Sequence, residues 1–272
     1  MDRIIKLSEY ENMAPEEKRQ WAERWRERLG QDFERMDFDP SRELFPTFWH
    51  RAAGMPFKLI LEGSFEMGFS AEEERWARKI CDPIPANLEE MRPVHPREVN
   101  PFLLSVTPVL QGQVEVGSKT ADREFSPAFV QREIAETYAE GVGCRLPREM
   151  EWEYACRGGS QTLFPWGNEL LPEAELEAWL AWDFRDLGKV RVNRFGLGGL
   201  CSGEWCADEF SKSYEAGAET EPGSFVIRGG GSFFWPWQDE EWVWCMPAMR
   251  MPSKDLVDGT CGFRLVFDLA KK

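Results

Sequence analysis

The sequence lacks long apolar runs, basic runs and a signal peptide. No stretch approaches the roughly 18 consecutive apolar residues of a membrane-spanning helix. Residues 1–20 contain no apolar core followed by a small-residue cleavage site, so we expect a cytoplasmic protein. The formal net charge is −15 at pH 7, and no run of lysine or arginine offsets it. This charge excludes nucleic acid and anionic membranes as expected partners, and it favours basic proteins, basic peptides or cationic small molecules.

Histidine is scarce, and cysteine occurs in an odd number. The two histidines, His50 and His95, belong to no Ser-His-Asp pattern, and neither a P-loop nor a dinucleotide fingerprint is present. Seven cysteines without a secretory signal predict reduced thiols rather than a disulfide framework. Cys201 and Cys206 lie on one predicted loop at an unspecific spacing, so we expect structural thiols there.

The chain divides into an N-terminal helical arm, residues 1–54, and a larger domain, residues 55–272. The spacing of apolar residues predicts a helix over 14–36 with Pro15 in its first turn. This helix has an apolar stripe along one face, which is expected to pack either against the main domain or against a partner. The stripe consists of Trp21, Trp25, Leu29, Phe33 and Met36. The acidic piece 71–91 is predicted to be an inserted helix and loop.

Six short motifs follow one another in a fixed order over most of the chain. They are GSFEMGFS (Gly63–Ser70), RPVHPREVNPFLLSVTPV (Arg92–Val109), RLPREMEWEYACRGG (Arg145–Gly159), LFPWGNE (Leu163–Glu169), NRFGLGGLCSGEWCADEF (Asn193–Phe210) and VIRGGGSFF to CGFRLVFD (Val226–Asp268). This order resembles the formylglycine-generating-enzyme family, also called sulfatase-modifying factors, over roughly residues 55–268. The resemblance implies an α+β, loop-rich domain of C-type-lectin-like fold, preceded here by the helical arm.

The resemblance has a gap where the family's chemistry would lie. In catalytic members, two cysteines after the Gly-Gly-Ser bind copper and oxidise a substrate cysteine. Counted from Ser232, those places hold Trp235 and Glu240, and the first cysteine reached is Cys245. Copper chemistry of this type needs soft thiolate ligands, which indole and carboxylate do not replace. Cys245 and Cys261 flank the last motif and are expected near each other, but they do not recreate that pair.

The segment Phe233–Trp244 combines four tryptophans with three consecutive acidic residues. Aromatic faces beside carboxylates suit a cationic group, and tryptophan is frequent at interface hot spots. The resemblance places this segment beside the family's substrate groove. The alternative is a buried set of tryptophans with a solvated acidic turn, or a half-buried strand. The candidate ligand-binding residues are Trp235, Trp237, Asp239, Glu240, Glu241, Trp242, Trp244 and Arg250.

Metal binding follows only from the resemblance. Catalytic relatives hold structural calcium with a glutamate that matches Glu204, but their Asn or Asp falls here at Gly198 or Gly199. Asp208 is a substitute ligand, so calcium is the one cofactor left open, and otherwise none is expected. The sulfoxide-synthase relatives bind iron through three histidines, which two histidines cannot supply.

These observations predict a non-catalytic binding or regulatory protein, a pseudoenzyme that holds a protein, peptide or cationic ligand in a C-type-lectin-like groove. One alternative is a diverged metal-dependent oxidase of the formylglycine-generating type. A second is a variable recognition protein of the diversity-generating type, which the tryptophan-rich segment makes less favourable. The sequence does not define the oligomeric state.

Overall fold

The computed structural model describes residues 6–114, 124–179, 183–230, 241–253 and 260–269. Its elements confirm an α+β fold. The helices are α1 (Leu7–Glu11), α2 (Pro15–Leu29), α3 (Ala71–Ile80), α4 (Arg132–Gly141), α5 (Glu149–Arg157) and α6 (Glu173–Trp179). Within these residues, no helix combines the length and hydrophobicity needed to cross a membrane.

The strands are short and almost entirely antiparallel. They are β1 (Phe33–Arg35), β2 (Thr47–His50), β3 (Met55–Ile60), β4 (Gly63–Met67), β5 (His95–Val99), β6 (Phe102–Ser105), β7 (Val130–Gln131), β8 (Glu204–Ser211), β9 (Thr220–Arg228), β10 (Arg250–Pro252), β11 (Thr260–Cys261) and β12 (Val266–Asp268). The largest sheet has the order β1-β2-β3-β6-β12. A second sheet has the order β10-β9-β8, and β4 pairs with β5 while β7 pairs with β11.

The N-terminal arm belongs to the main core. Trp21, Trp25 and Leu29 are buried in the same apolar cluster as the residues of β3 and β6, so the domain itself covers the predicted stripe. The arm also supplies β1 and β2 to the five-stranded sheet.

The predicted helix over 14–36 is wrong at its C-terminal end. Helix α2 ends at Leu29, and Gly30 adopts a φ of 69°, in the left-handed region that favours glycine. Phe33 then begins β1, and Met36 is 39% exposed rather than part of the buried stripe. Helix propensity and apolar spacing did not reveal that Phe33–Arg35 pairs with β2 as a strand instead of continuing the helix.

The acidic insert forms the predicted helix. Helix α3 begins after Ser70, whose hydroxyl accepts a hydrogen bond from the Glu73 N–H while the Glu73 carboxylate accepts from the Ser70 N–H. This reciprocal pair satisfies two of the N–H groups that a helix start leaves free. A short 3-10 turn at Leu88–Met91 then leads into β5.

Candidate ligand-binding site

A second apolar cluster, separate from the main core, gathers most of the aromatic side chains near the predicted site. It brings together α3, the turn around residues 163–166, α6 and the 3-10 turn Glu241–Cys245. We call six aromatic residues in or beside this second cluster the tryptophan cluster: Trp76, Phe164, Trp166, Trp179, Trp242 and Trp244.

Four rings of the tryptophan cluster, Phe164, Trp166, Trp179 and Trp242, form a connected set of ring contacts. Phe164 and Trp166 stack with centroids 4.8 Å apart and planes 11° apart. Trp179 lies 5.0 Å from Trp166, and Trp242 meets Phe164 edge-on at 6.1 Å. Such stacked and edge-to-face contacts stabilise a rigid aromatic surface. The cluster therefore has a buried base, Phe164 and Trp242, and a half-buried rim that includes Trp166.

The structure describes only part of the predicted ligand-binding set. Trp235, Trp237, Asp239 and Glu240 lie outside the described residues, as does the side chain of Glu241. Trp242 is 4% exposed, so it supports the cluster from within. Trp244 is half-buried, and its ring lies against Gly230, where an added Cβ would come within 3.3 Å of it.

Arg250 lies in the core rather than on a free surface. Its Nε is 2.6 Å from Glu149 Oε1, and its guanidinium packs over the rings of Phe210 and Tyr214. Its Nη1 donates to the carbonyl of Glu90, at the end of the acidic insert. Arg250 therefore joins the insert to α5, and it also lines a cavity of about 510 Å³ together with Tyr214. Its predicted role in ligand binding stays a prediction.

A network of buried ion pairs links these elements, and the sequence analysis did not predict it. Glu149, Glu153 and Arg157 recur at a four-residue spacing on α5, so they share one face of the helix. Arg228 lies 2.7 Å from Glu149 and 2.9 Å from Glu153, and Arg157 donates to Glu73 on α3 at 2.8 Å. The four-residue spacing of charges was the available signal, but it is equally typical of an exposed helix.

The positive and negative charges of these buried ion pairs balance one another. Burial alone would raise the pKa of Glu149, but Arg228 and Arg250 outweigh it and hold that pKa below its usual value. Glu73, with 1% exposure, anchors α3 to α5 through Arg157. The acidic insert is thereby held against the tryptophan cluster, to which its Trp76 and Ile80 contribute.

Comparison with known proteins identifies the family. The pattern of the Sulfatase-modifying factor enzyme 1-like domain matches residues 50–269, most of the chain. The chain belongs to this FGE-sulfatase family. The formylglycine-generating enzyme of Thermomonospora curvata is 34% identical over 146 residues, which cover 43% of this chain and 48% of that enzyme. The match thus spans about half of that relative's length.

Solved structures support the same fold. PvdO from Pseudomonas aeruginosa is similar with a TM-score of 0.54 and 19% identity, covering 79% of this chain and 94% of that one. The Treponema denticola variable protein 1 is similar with a TM-score of 0.53 and 18% identity, covering 81% of this chain and 98% of that one. At this identity the likeness shows the C-type-lectin-like fold alone.

The two carboxylates suggested as calcium ligands in this FGE-sulfatase domain both have protein partners. Glu204 is fully buried, accepts from Trp152 Nε1 at 2.7 Å and pairs with Arg264. Asp208 Oδ2 accepts the N–H of Glu149 at 2.5 Å and so caps the start of α5. Among the described residues, no group of three or more His, Cys, Asp or Glu side chains could hold a metal ion. Calcium binding stays a prediction.

The free thiols are not arranged as the sequence predicts, which was that Cys245 lies near Cys261. Cys245 contacts Cys201, and both are buried in the second apolar cluster, whereas Cys261 lies in the main core. The hydrogen bond with Cys245, together with burial, raises the pKa of the Cys201 thiol well above its ordinary value. Cys206 is also buried in the main core, so the C-x4-C pair does not form one site.

Proposed function

We propose that this protein is a non-catalytic binding or regulatory member of its family, which holds a basic protein, peptide or cationic ligand at the tryptophan cluster. One observation carries the proposal. Three half-buried tryptophans, Trp76, Trp166 and Trp244, come from separate parts of the chain and pack against the second apolar cluster. The sequence contains no cysteine between Ser232 and Cys245. The places of the family's two copper-binding thiols hold Trp235 and Glu240, which do not supply soft thiolate ligands.

The rim combines aromatic faces with charges of both signs. A cavity of about 340 Å³ separates Trp76 on α3 from Glu169, beside Trp166, and Lys79 also lines it. The Trp166 indole N–H donates to the Glu169 carbonyl at 3.0 Å, which fixes the ring while its face stays half-buried. An aromatic face next to a carboxylate attracts an ammonium or guanidinium group through both charge and ring quadrupole. The net charge of −15 also favours the approach of a basic partner.

The oxidase alternative has less support from the residues present. Trp235 and Glu240 are not thiolate ligands, and Cys201 and Cys245 are buried, with the pKa of Cys201 raised. Buried protonated thiols are poor nucleophiles and poor metal ligands. Stoichiometric copper or iron in protein purified without chelator, measured by elemental mass spectrometry, would favour the oxidase over the binding protein.

The third alternative, a diversity-generating recognition protein, shares its fold with the Treponema denticola variable protein 1. A nearly repeated copy of the coding region for Arg228–Arg264 beside the gene would favour it. The binding proposal does not require such a copy, because its ligand contacts are fixed tryptophans.

The binding experiment uses the full-length protein and a fluorescein-labelled octaarginine peptide, with octaglutamate as the charge control. We expect saturable binding of octaarginine, and we expect Trp244→Ala to weaken it by roughly fivefold or more through the lost aromatic face. Trp49→Ala is the matched control, because Trp49 is 36% exposed on β2, outside the tryptophan cluster. Equal affinities for the two folded variants would overturn the proposal.

A further inference from the structure

Among the described residues, one edge of β4 is left open, and no residue of the tryptophan cluster lines the cleft beside it. Strand β4 pairs antiparallel with β5, with Gly63 opposite Val99 and Glu66 opposite Pro96. Proline has no N–H, so the Glu66–Pro96 pair is not one that exchanges two hydrogen bonds. Hydrogen-bonded and non-hydrogen-bonded pairs alternate along an antiparallel ladder. The backbone N–H and C=O groups of Ser64 and Glu66 therefore point away from β5.

The neighbours of this edge agree with that alternation. The Glu62 carbonyl accepts the Leu7 N–H at 3.1 Å, and the Glu66 carbonyl accepts Gln161 Nε2 at 3.1 Å. Between these two bonded carbonyls, the outward N–H and C=O of Ser64 meet no hydrogen-bonding group of the described residues. Unpaired strand edges of this kind are templates for an added strand.

The open edge lines a cleft of about 510 Å³. One wall is α1 with the preceding Lys6, and the other is the turn after α5 at residues 159–161. The apolar floor includes Phe65 and Tyr154, whose rings lie 5.4 Å apart. Gly63 is required here, since an added Cβ would lie 2.2 Å from the Tyr154 hydroxyl. The arm that forms the first wall lies outside residues 50–269, which match the family.

The charge of the cleft selects for a basic occupant. Its lining includes three carboxylates, Glu11, Glu62 and Glu98, and one ammonium group, Lys6. Glu11 pairs with Arg194 and Glu62 lies near Lys6, so exposed Glu98 is the carboxylate that an occupant can meet. The chain itself provides an example of the recognition, because Lys6 forms a parallel backbone bridge with Glu62 while its Nζ lies 4.0 Å from the Glu62 carboxylate. Lys6 thus contacts Glu62, the residue just before β4, through both its backbone and its charged side chain.

We propose that an extended, lysine- or arginine-containing peptide of a partner protein adds to the Ser64–Glu66 edge of β4 as a third strand. Main-chain hydrogen bonds to the Ser64 N–H and C=O and to the Glu66 N–H provide the affinity, as in other cases of strand addition. Side chains on one face of the peptide pack over Phe65, and basic side chains on the other face meet Glu98, which lies opposite Ser64 on the solvent side. This site is independent of the tryptophan cluster and of the function proposed there.

The probe is a fluorescein-labelled octapeptide of alternating valine and lysine, with the valine–glutamate counterpart as the charge control. Ser64→Pro removes the outward N–H without touching the β4–β5 hydrogen bonds, a position where an edge strand tolerates proline. We expect it to weaken binding by about tenfold or more, whereas Ser64→Ala retains binding. In the wild type, bound peptide is expected to slow amide exchange at Ser64 and Glu66.

The outcomes separate this site from the tryptophan cluster. Loss of binding in folded Ser64→Pro with retention in Trp244→Ala supports strand addition at β4. Binding that survives Ser64→Pro but is lost in Trp244→Ala overturns the strand-addition site and leaves the tryptophan cluster as the peptide site. Absence of saturable binding, or equal binding of the valine–glutamate peptide, also overturns it. A folded state for each variant is checked by near-ultraviolet circular dichroism.

Discussion

The indole N–H of Trp152 donates a 2.7 Å hydrogen bond to the Glu204 carboxylate in the centre of the protein. Arg264 binds the same carboxylate through Nη2 at 2.6 Å and through Nε. Helix α5, strand β8 and the last motif therefore meet at one buried anion. All three side chains are nearly or fully buried, so each depends on the others for its polar partners.

Replacing Trp152 by alanine is expected to lower the free energy of unfolding by about 3–5 kcal/mol, the usual cost of truncating a buried aromatic residue. Trp152→Phe keeps most of the volume but leaves one lone pair of Glu204 without its donor, so about 1–3 kcal/mol is expected. Guanidinium denaturation of both variants checks these values. If Trp152→Phe equals the wild type, the hydrogen bond contributes nothing.

The sequence predicted this part of the fold well. The sequence pattern predicts a helix over Arg148–Arg157 that is ended by Gly158 and Gly159. Helix α5 spans Glu149–Arg157, with Arg148 as its N-cap and with Gly158 at a φ of 60°, in the left-handed region. The motif that contains Glu204 was identified, with calcium left open as a ligand of that glutamate. No spacing rule reveals that Arg264, sixty residues later in the chain, reaches the same carboxylate. Long-range partners of a buried charge are set by packing, which a single sequence does not encode in a local pattern.

Asp208→Asn separates a helix cap from a metal ligand. Burial, followed by the nearby Glu149 and Glu151, raises the pKa of Asp208 above its ordinary 3.8, although the Glu149 N–H opposes this. A raised folded pKa means that the carboxyl contributes most stability below pH 3.8 and loses it as pH rises through the folded pKa. Asparagine keeps an acceptor oxygen for the helix start and has no charge. We therefore expect the stability of Asp208→Asn relative to wild type to increase with pH over this window.

Thermal unfolding from pH 3 to pH 7, with and without added calcium, checks this prediction. A calcium ligand at Asp208 gives the opposite result, because added calcium then raises the Tm of the wild type and not that of Asp208→Asn. The same experiment with Glu209→Gln, an exposed neighbour on β8, controls for a general effect of removing negative charge.

Glu73→Gln tests how the acidic insert is held. Its carboxylate pairs with Arg157 inside the protein, where both side chains are 1% exposed. Arg157 then keeps Glu153, at 2.9 Å, but loses its second carboxylate partner, so a loss of about 1–3 kcal/mol in the free energy of unfolding is expected. Glu72→Gln, on the exposed side of the same helix, is the control and is expected to change little. Similar losses for both variants would contradict the anchoring role of Glu73.

The site was less predictable than the fold, for a physical reason. The sequence analysis grouped Trp242, Trp244 and Arg250 because they are close in sequence. Of these three side chains, Trp244 is half-buried, whereas Trp242 and Arg250 are buried. Trp76 and Trp166, which complete the surface, come from segments 78 or more residues upstream of Trp244. Which face of a short aromatic segment turns inward depends on elements that pack against it, here α3 and the turn at residues 163–166.

The two neighbouring tryptophans are expected to respond differently to truncation. Trp242 is 4% exposed and packs edge-on against Phe164, so Trp242→Ala is expected to cost about 3–5 kcal/mol of stability. Trp244→Ala removes a ring that is partly in solvent, so a smaller loss is expected, with the effect falling on ligand binding instead. Paired guanidinium denaturation curves measure the two costs. Because a Trp237→Ala, Trp242→Ala double variant contains the buried position, loss of its binding can reflect unfolding, whereas Trp244→Ala tests the surface in a folded protein. Equal destabilisation by the two single variants would mean that Trp244 belongs to the core and that the half-buried rim is smaller than proposed.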